Sequence, residues 1–289
     1  MLNSTWTDGY FHSQDNLRLA YRDYDHAGNA RLPILCLAGL TRNAKDFHSF
    51  ACHMAPRRRI LALDYRGRGR SEYDTDWRRY DAPVYVQDVL QLLTVLDVER
   101  AIVIGTSLGG ILTMGLSLAR PTLLAGAILN DIGPSIIESG RQRIANYVGQ
   151  DVRVPDLAAA AALWRRDFGQ AYPNLDSAGW LRIADNTFTR DPKAGNYRLD
   201  YDLAISRAMI EGARQPLPDL WPLFLGLRNT PTLVLRGALS DILDASTLAR
   251  MGSLHPRMQA VTVPDVGHVP MLDEPVSRAA VDSFIESLP

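Results

Sequence analysis

Short apolar runs at residues 32–40, 59–64, 101–104, 124–129 and 231–236 recur along the chain with helical segments between them, and this alternation narrows the possible folds more than any other feature. The run at 32–40 is continuous rather than alternating, as expected of a strand buried on both faces of a parallel sheet. The segment 82–96 carries Val86, Val89, Leu90, Leu93 and Leu96 at helical spacing, and 110–120 carries Ile111, Leu112, Met114, Leu116 and Leu118. Strands alternating with helices predict an α/β fold: a mostly parallel sheet, of the eight-stranded type, with helices on both faces. Two strands at 10–13 and 17–24 flank the turn residues Gln14-Asp15-Asn16 and predict an opening hairpin. After residue 133 the rhythm breaks. Helical segments at 136–148, 155–168, 178–188 and 203–213 follow, rich in aromatics, and the alternation resumes with helices at 220–227, 245–251 and 276–288 and a last strand at 258–263. The expected organisation is a core of residues 1–132 and 219–289 interrupted by a helical cap at 133–218.

The 289 residues, 46% hydrophobic and 22% charged with net charge -1, suit one large α/β domain with an insertion. The charge offers no footprint for nucleic acid or an anionic membrane, and no run is long enough to cross a bilayer. The polar start of the chain shows no basic and apolar leader pattern, so the expected location is cytoplasmic. Cys36 and Cys52 read as two buried thiols, and no Cys/His spacing suggests a metal.

One junction stands out chemically. The strand at 101–104 runs into Gly105-Thr106-Ser107-Leu108-Gly109 and then into a helix. A serine on so sharp a turn needs small residues two before and two after it, because a Cβ there meets the neighbouring strand or helix, and Gly105 and Gly109 leave that room. The free N–H groups and positive end of the helix face whatever reacts with Ser107. There is no G-K-[ST] or G-x-G-x-x-G pattern to favour phosphate binding. With this G-x-S-x-G turn the chain resembles the α/β-hydrolase family, and Ser107 matches its nucleophile. Serine at this place separates it from the dehalogenases and epoxide hydrolases of the fold, which use aspartate.

A serine hydroxyl needs a base, and the base an orienting carboxylate. The resemblance implies the chain order serine, acid, histidine. Only His255 and His268 follow Ser107. His268 lies in a G-H-x-P-x-x-D-E-P run at 267–275, close to the family's histidine loop, and is the expected base. His255, before Pro256, reads as a capping or surface residue, and His12, His26, His48 and His53 as structural or solvated. Two aspartates compete for the acid. Asp241, in Arg236-Gly237-Ala238-Leu239-Ser240-Asp241, resembles the usual acid loop and is preferred. Asp131, at the end of the strand after the nucleophile helix, is the rival, since some members of the fold place the acid there. Asp244 reads as a helix N-cap. The oxyanion donors implied are the backbone N–H groups of Leu108 and of Leu40, where Ala38 replaces the family's common histidine. The segment 64–71, Asp64-Tyr65-Arg66-Gly67-Arg68-Gly69-Arg70-Ser71, resembles another family signature, with Asp64 bonded to nearby backbone and its arginines solvated or ion-paired.

Together these imply a serine hydrolase for a small or medium carboxylic ester, with a lactone or a carbon–carbon cleavage substrate as alternatives on the same triad, and no cofactor or metal. Trp164, Phe168 and Trp180 of the cap are candidate pocket walls, with Asp131 grouped beside them. A hydrolase-fold receptor that binds a ligand with little turnover is the alternative from a different class.

Overall fold

The structure, a computed structural model, describes residues 6–25, 31–212 and 218–289. The first five residues, His26 and the Ala213 end of the 203–213 segment lie outside them. The strands β1 (Thr7–His12) and β2 (Arg18–Tyr24) form the opening hairpin, with Asn16 left-handed at φ 66°. There follow β3 (Ile34–Leu37), α1 (His48–Met54), β4 (Ile60–Asp64), α2 (Ala82–Val95), β5 (Ala101–Thr106), α3 (Leu108–Ala119) and β6 (Leu124–Asn130). Asp81 caps α2 by accepting from the Ala82 N–H, and Pro83 sits in the first turn, where its missing donor costs nothing.

After β6 the chain leaves the sheet. It forms α4 (Glu138–Tyr147), β7 (Arg153–Val154), α5 (Leu157–Phe168), α6 (Ser177–Thr187), β8 (Phe188–Arg190), β9 (Tyr197–Leu199) and α7 (Ile205–Gly212). It then returns through α8 (Trp221–Leu225), β10 (Thr232–Gly237), α9 (Ala245–Leu254), β11 (Met258–Val263) and α10 (Pro275–Glu286). Asp244 caps α9 from the Thr247 N–H, as its position predicts.

The eight-stranded sheet runs β1-β2-β4-β3-β5-β6-β10-β11. Pairing is antiparallel for β1 with β2 and β2 with β4, and parallel from β4 to β11. Residues Ile34–Leu37, Ile60–Asp64 and Leu124–Asn130 are buried throughout, which is why their sequences run apolar without alternation. The register brings several strand ends to one edge. Thr106 pairs with Asn130, Asn130 with Leu235, and Gly237 with Val263. Residues that follow these strands therefore meet along that edge.

The excursion between β6 and β10 is not all helix. A three-stranded antiparallel sheet, β7-β9-β8, lies within it, formed by strands of two or three residues, too short for a periodic signal to reveal. Its apolar residues Ala160, Trp180, Phe188 and Leu199 belong to the same buried cluster as the sheet. Backbone bonds Gly69 N–H to Asp200 O (3.1 Å) and Asp202 N–H to Gly67 O (2.7 Å) pin it to the loop after β4.

That loop follows its sequence reading at Asp64, and of the two readings offered for its arginines Arg66 and Arg70 take the ion-paired one. Asp64 accepts from the Ala44 and Arg70 N–H groups as expected, and burial still holds its carboxyl above the usual range. Two of its arginines are also buried. Arg66 is 1% exposed, ion-paired to Asp15, Asp74 and Asp88, and Arg68 is fully buried, donating to Leu40 O, Arg66 O and the Tyr85 hydroxyl over the Tyr85 ring. Three carboxylates around Arg66 offset the desolvation that keeps such groups at surfaces. His255 likewise caps the end of α9 but is buried against Phe224, 2% exposed, rather than on the surface. No helix among the described residues is long and apolar enough to cross a membrane.

Candidate active site

Ser107 sits between β5 and α3 at φ 53°, ψ -114°, a conformation that L-residues adopt only where the surroundings enforce it. The enforcing contacts are tight. A Cβ on Gly105 would stand 2.3 Å from Gly109 O, and one on Gly109 would stand 2.0 Å from Leu37 O. The Ser107 N–H donates to Asn130 O (3.1 Å) and its carbonyl accepts from the Gly110 N–H (2.9 Å), so both sides of the turn are held by backbone.

His268 follows β11 in a loop that reaches across the strand ends. Its Nε2 lies 3.0 Å from Ser107 Oγ and its Nδ1 lies 2.7 Å from Asp131 Oδ2. Asp131, fully buried and left-handed at φ 54°, continues directly from β6. Its Oδ1 accepts from the Gly237 N–H (2.9 Å), and its Oδ2 also accepts from the Ser240 hydroxyl (2.6 Å). Three groups thus converge on its two oxygens: the Gly237 N–H, the Ser240 hydroxyl and His268 Nδ1.

Asp241, the acid preferred from the sequence, is not the carboxylate on His268. It turns away to α4 and takes a bidentate pair from Arg143, Nε at 2.5 Å and Nη2 at 2.8 Å. Burial raises the Asp241 carboxyl, but the Arg143 fork and the nearby His268 bring it below the usual carboxylate value. The loop after β10 reaches Asp131 through Ser240 instead. The Ser240 hydroxyl accepts from the Ile242 and Leu243 N–H groups while it donates to Asp131, so the motif at 236–241 meets Asp131 through Ser240 and not through Asp241.

The oxyanion expectation can be traced on the backbone. The Gly109 N–H donates to Ala38 O (3.0 Å), which seats α3 on the loop after β3, and an ideal Cβ on Gly39 would lie 3.8 Å from Ser107 Cβ. The N–H groups of Leu40 and Leu108 donate to no protein acceptor among the described residues. Arg68 Nε, buried beneath, donates to Leu40 O (2.9 Å), and Arg42 N–H donates to Gly39 O (3.1 Å). Where the family's histidine is replaced by Ala38, Arg68 fixes this loop from below.

Three further residues hold the His268 loop, and none carried a sequence signal of its own. Asn130 Nδ2 donates to Pro270 O (2.8 Å) and to Thr106 Oγ1 (3.2 Å), linking the residue before Ser107 to the loop. The Tyr172 hydroxyl accepts from the Val269 N–H (2.7 Å) and donates to Val269 O (3.0 Å), with burial raising its phenol far above the ordinary value. The Gly267 N–H donates to Ala171 O (2.7 Å). The excursion thus grips the base as well as covering it.

A cavity of about 690 Å³ opens over Ser107 and His268. Trp164, Phe168 and Trp180 all line it, whereas Asp131 is sealed behind His268 and does not. Trp164 packs edge-on to Phe168 with centroids 5.0 Å apart, and Tyr172 edge-on to Trp180 at 6.0 Å. These rings serve the packing and the wall together.

A strand-edge serine on a left-handed elbow, a histidine bonded to it and a buried carboxylate behind the histidine define a hydrolase of one fold class. Residues 34–281 match the alpha/beta hydrolase family, and the chain belongs to it. The 3-hydroxybutyrate-oligomer hydrolase of Cupriavidus necator is 32% identical over 278 residues, 92% of each chain. The 2-(acetamidomethylene)succinate hydrolase of Mesorhizobium japonicum is 27% identical over 256 residues, 88% of each. A crystal structure of an alpha/beta hydrolase from Novosphingobium aromaticivorans superposes with a TM-score of 0.93 at 43% identity, covering 98% of both chains.

Proposed function

We propose that the protein is a serine hydrolase that cleaves a small or medium carboxylic ester through an acyl-enzyme, with Ser107, His268 and Asp131 as nucleophile, base and acid. The observation that carries this is the continuous relay from Ser107 Oγ to His268 Nε2 at 3.0 Å and from His268 Nδ1 to Asp131 at 2.7 Å. Asp131 keeps the proton on Nδ1, so Nε2 is free to take the Ser107 proton as Oγ attacks the carbonyl. The Leu40 and Leu108 N–H groups receive the oxyanion. The imidazolium returns its proton to the departing alcohol, and a water deprotonated by His268 then releases the acid and restores Ser107. Residues 133–218 act as a cap that excludes bulk water and sets the width of the pocket. The ester reading draws support from the oligomer hydrolase at 32% identity over nearly the whole chain. A lactone presents the same carbonyl to the same groups.

The test is labelling by a fluorophosphonate probe beside turnover of 4-nitrophenyl acetate and butyrate. The expected result is labelling and turnover in the wild type, and in Ser107→Ala no labelling and a kcat lower by about 10⁴ to 10⁶. A folded wild type that neither labels nor turns over any member of an ester and lactone panel, yet binds a ligand tightly, sinks the hydrolase reading in favour of a receptor.

Asn130 gives a second check, because it touches the base only through Pro270. Asn130→Ala removes the donor to Pro270 O and loosens the His268 loop, so kcat should fall about tenfold while KM changes little, a loss worth about one hydrogen bond. An unchanged kcat would mean that Tyr172 and Ala171 hold the loop without it.

A further inference from the structure

We infer that Arg143 is a carboxylate-recognising group of the pocket, and that the substrate is an ester carrying a free carboxylate a few atoms from its scissile carbonyl. This rests on the ester-hydrolase reading above. The cationic side chains of the cavity are not equivalent. Arg42 is paired with Asp46, and Arg182 with Asp273, and in each case the carboxylate lines the cavity beside its partner. A ligand there meets a neutralised pair. Lys45 has its three protons committed to Asp185 O, Phe188 O and Asp200. Arg143 differs on both counts.

Arg143 lines the cavity while its partner Asp241 does not, so the pair turns its cationic side to the ligand. Asp241 engages Nε and Nη2, and Nη1 donates to no acceptor among the described residues. The Asp241 fork therefore does two things: it fixes the guanidinium plane, and it leaves an edge of two N–H groups available. An arginine held in this way is suited to a second carboxylate, because little side-chain entropy remains to be lost on binding. The Phe168 ring, with its centroid 6.0 Å from the Arg143 guanidinium carbon, adds an apolar neighbour and limits screening. The site also lies close to the reacting groups. Arg143, Ser107 and His268 line one cavity of about 690 Å³, so a carboxylate at Arg143 and a carbonyl at Ser107 can belong to one small ligand.

Two probes isolate this feature: 4-nitrophenyl butyrate, and the 4-nitrophenyl half-ester of glutarate, which adds a terminal carboxylate to the same acyl chain. The wild type should favour the half-ester in kcat/KM by about tenfold or more, mostly through KM, and the preference should shrink as salt is added. The double variant Arg143→Gln, Asp241→Asn removes the cation without stranding a charge, and should lower the half-ester to butyrate ratio by about 10- to 100-fold. Arg143→Lys keeps a charge but loses the fork, and should give an intermediate ratio. A wild-type ratio at or below one, or a ratio unchanged in both variants, overturns the inference while leaving the ester reading in place. Failure of the wild type to hydrolyse either ester overturns both.

Discussion

Asp131→Asn is expected to lower kcat on 4-nitrophenyl butyrate by about 10⁴, and Asp241→Asn by less than about tenfold. The asymmetry follows from what each carboxylate accepts. Asp131 takes three hydrogen bonds at full burial, from Gly237 N–H, Ser240 Oγ and His268 Nδ1. An asparagine there has one oxygen and one NH2 group. With the NH2 at the Oδ1 place it confronts the Gly237 N–H, donor against donor. With the NH2 at the Oδ2 place it loses the bond from Ser240 Oγ, whose two lone pairs already take the Ile242 and Leu243 N–H groups, and it forces His268 to present Nδ1 as an acceptor. The proton then sits on Nε2, and the imidazole can no longer accept from Ser107. The second arrangement keeps the Gly237 bond and is the one expected, so the fold survives while the base is in the wrong tautomer. Asp241→Asn instead weakens a partly exposed pair, side chains 33% and 35% accessible, whose worth is screened by solvent. A larger loss at Asp241 than at Asp131 would return the acid to the loop after β10.

Why the sequence favoured the aspartate that does not face His268 is itself physical. Motif and chain order identify a loop, and that loop does reach the acid site. What they do not reveal is which side chain of the loop turns inward. Ser240 turns toward Asp131 and Asp241 turns out to Arg143, a choice set by α4, which lies about a hundred residues away in sequence. The strand and helix order, by contrast, was legible because buried parallel strands and amphipathic helices write their environment into each residue: β3, β4, β5, β6 and β10 all fall within the apolar runs or extend them by a residue or two. The burial of Arg66 and Arg68 was not legible, since a Gly/Arg/Asp-rich stretch has loop composition whether its charges face water or one another. Asn130 and Tyr172 were equally hidden. Each acts by one or two hydrogen bonds across at least 97 residues of sequence, which no local pattern records.

Gly109→Ala is expected to damage stability and turnover together, and for one cause. The new Cβ would lie 2.0 Å from Leu37 O and 2.6 Å from Leu37 C, backbone atoms at the end of a central strand that cannot yield. Only α3 can move, and moving it breaks the 3.0 Å bond from the Gly109 N–H to Ala38 O that joins the nucleophile helix to the loop bearing Leu40. Overpacking of this kind should cost about 2–4 kcal/mol in urea or thermal unfolding. Displacement of an oxyanion donor should lower kcat by a further factor of about 10² in the fraction that remains folded. Gly115→Ala, on the same helix, supplies the comparison. Its Cβ would meet only the Val86 Cγ2 methyl at 3.3 Å, a side-chain atom that can shift. The helix propensity gained offsets that contact, so stability should stay within about 1 kcal/mol of the wild type and kcat should be unchanged. Equal unfolding midpoints for the two variants would mean that the elbow tolerates a shift of α3. The close seating of α3 against β3 would then not be what holds Ser107 at its left-handed φ.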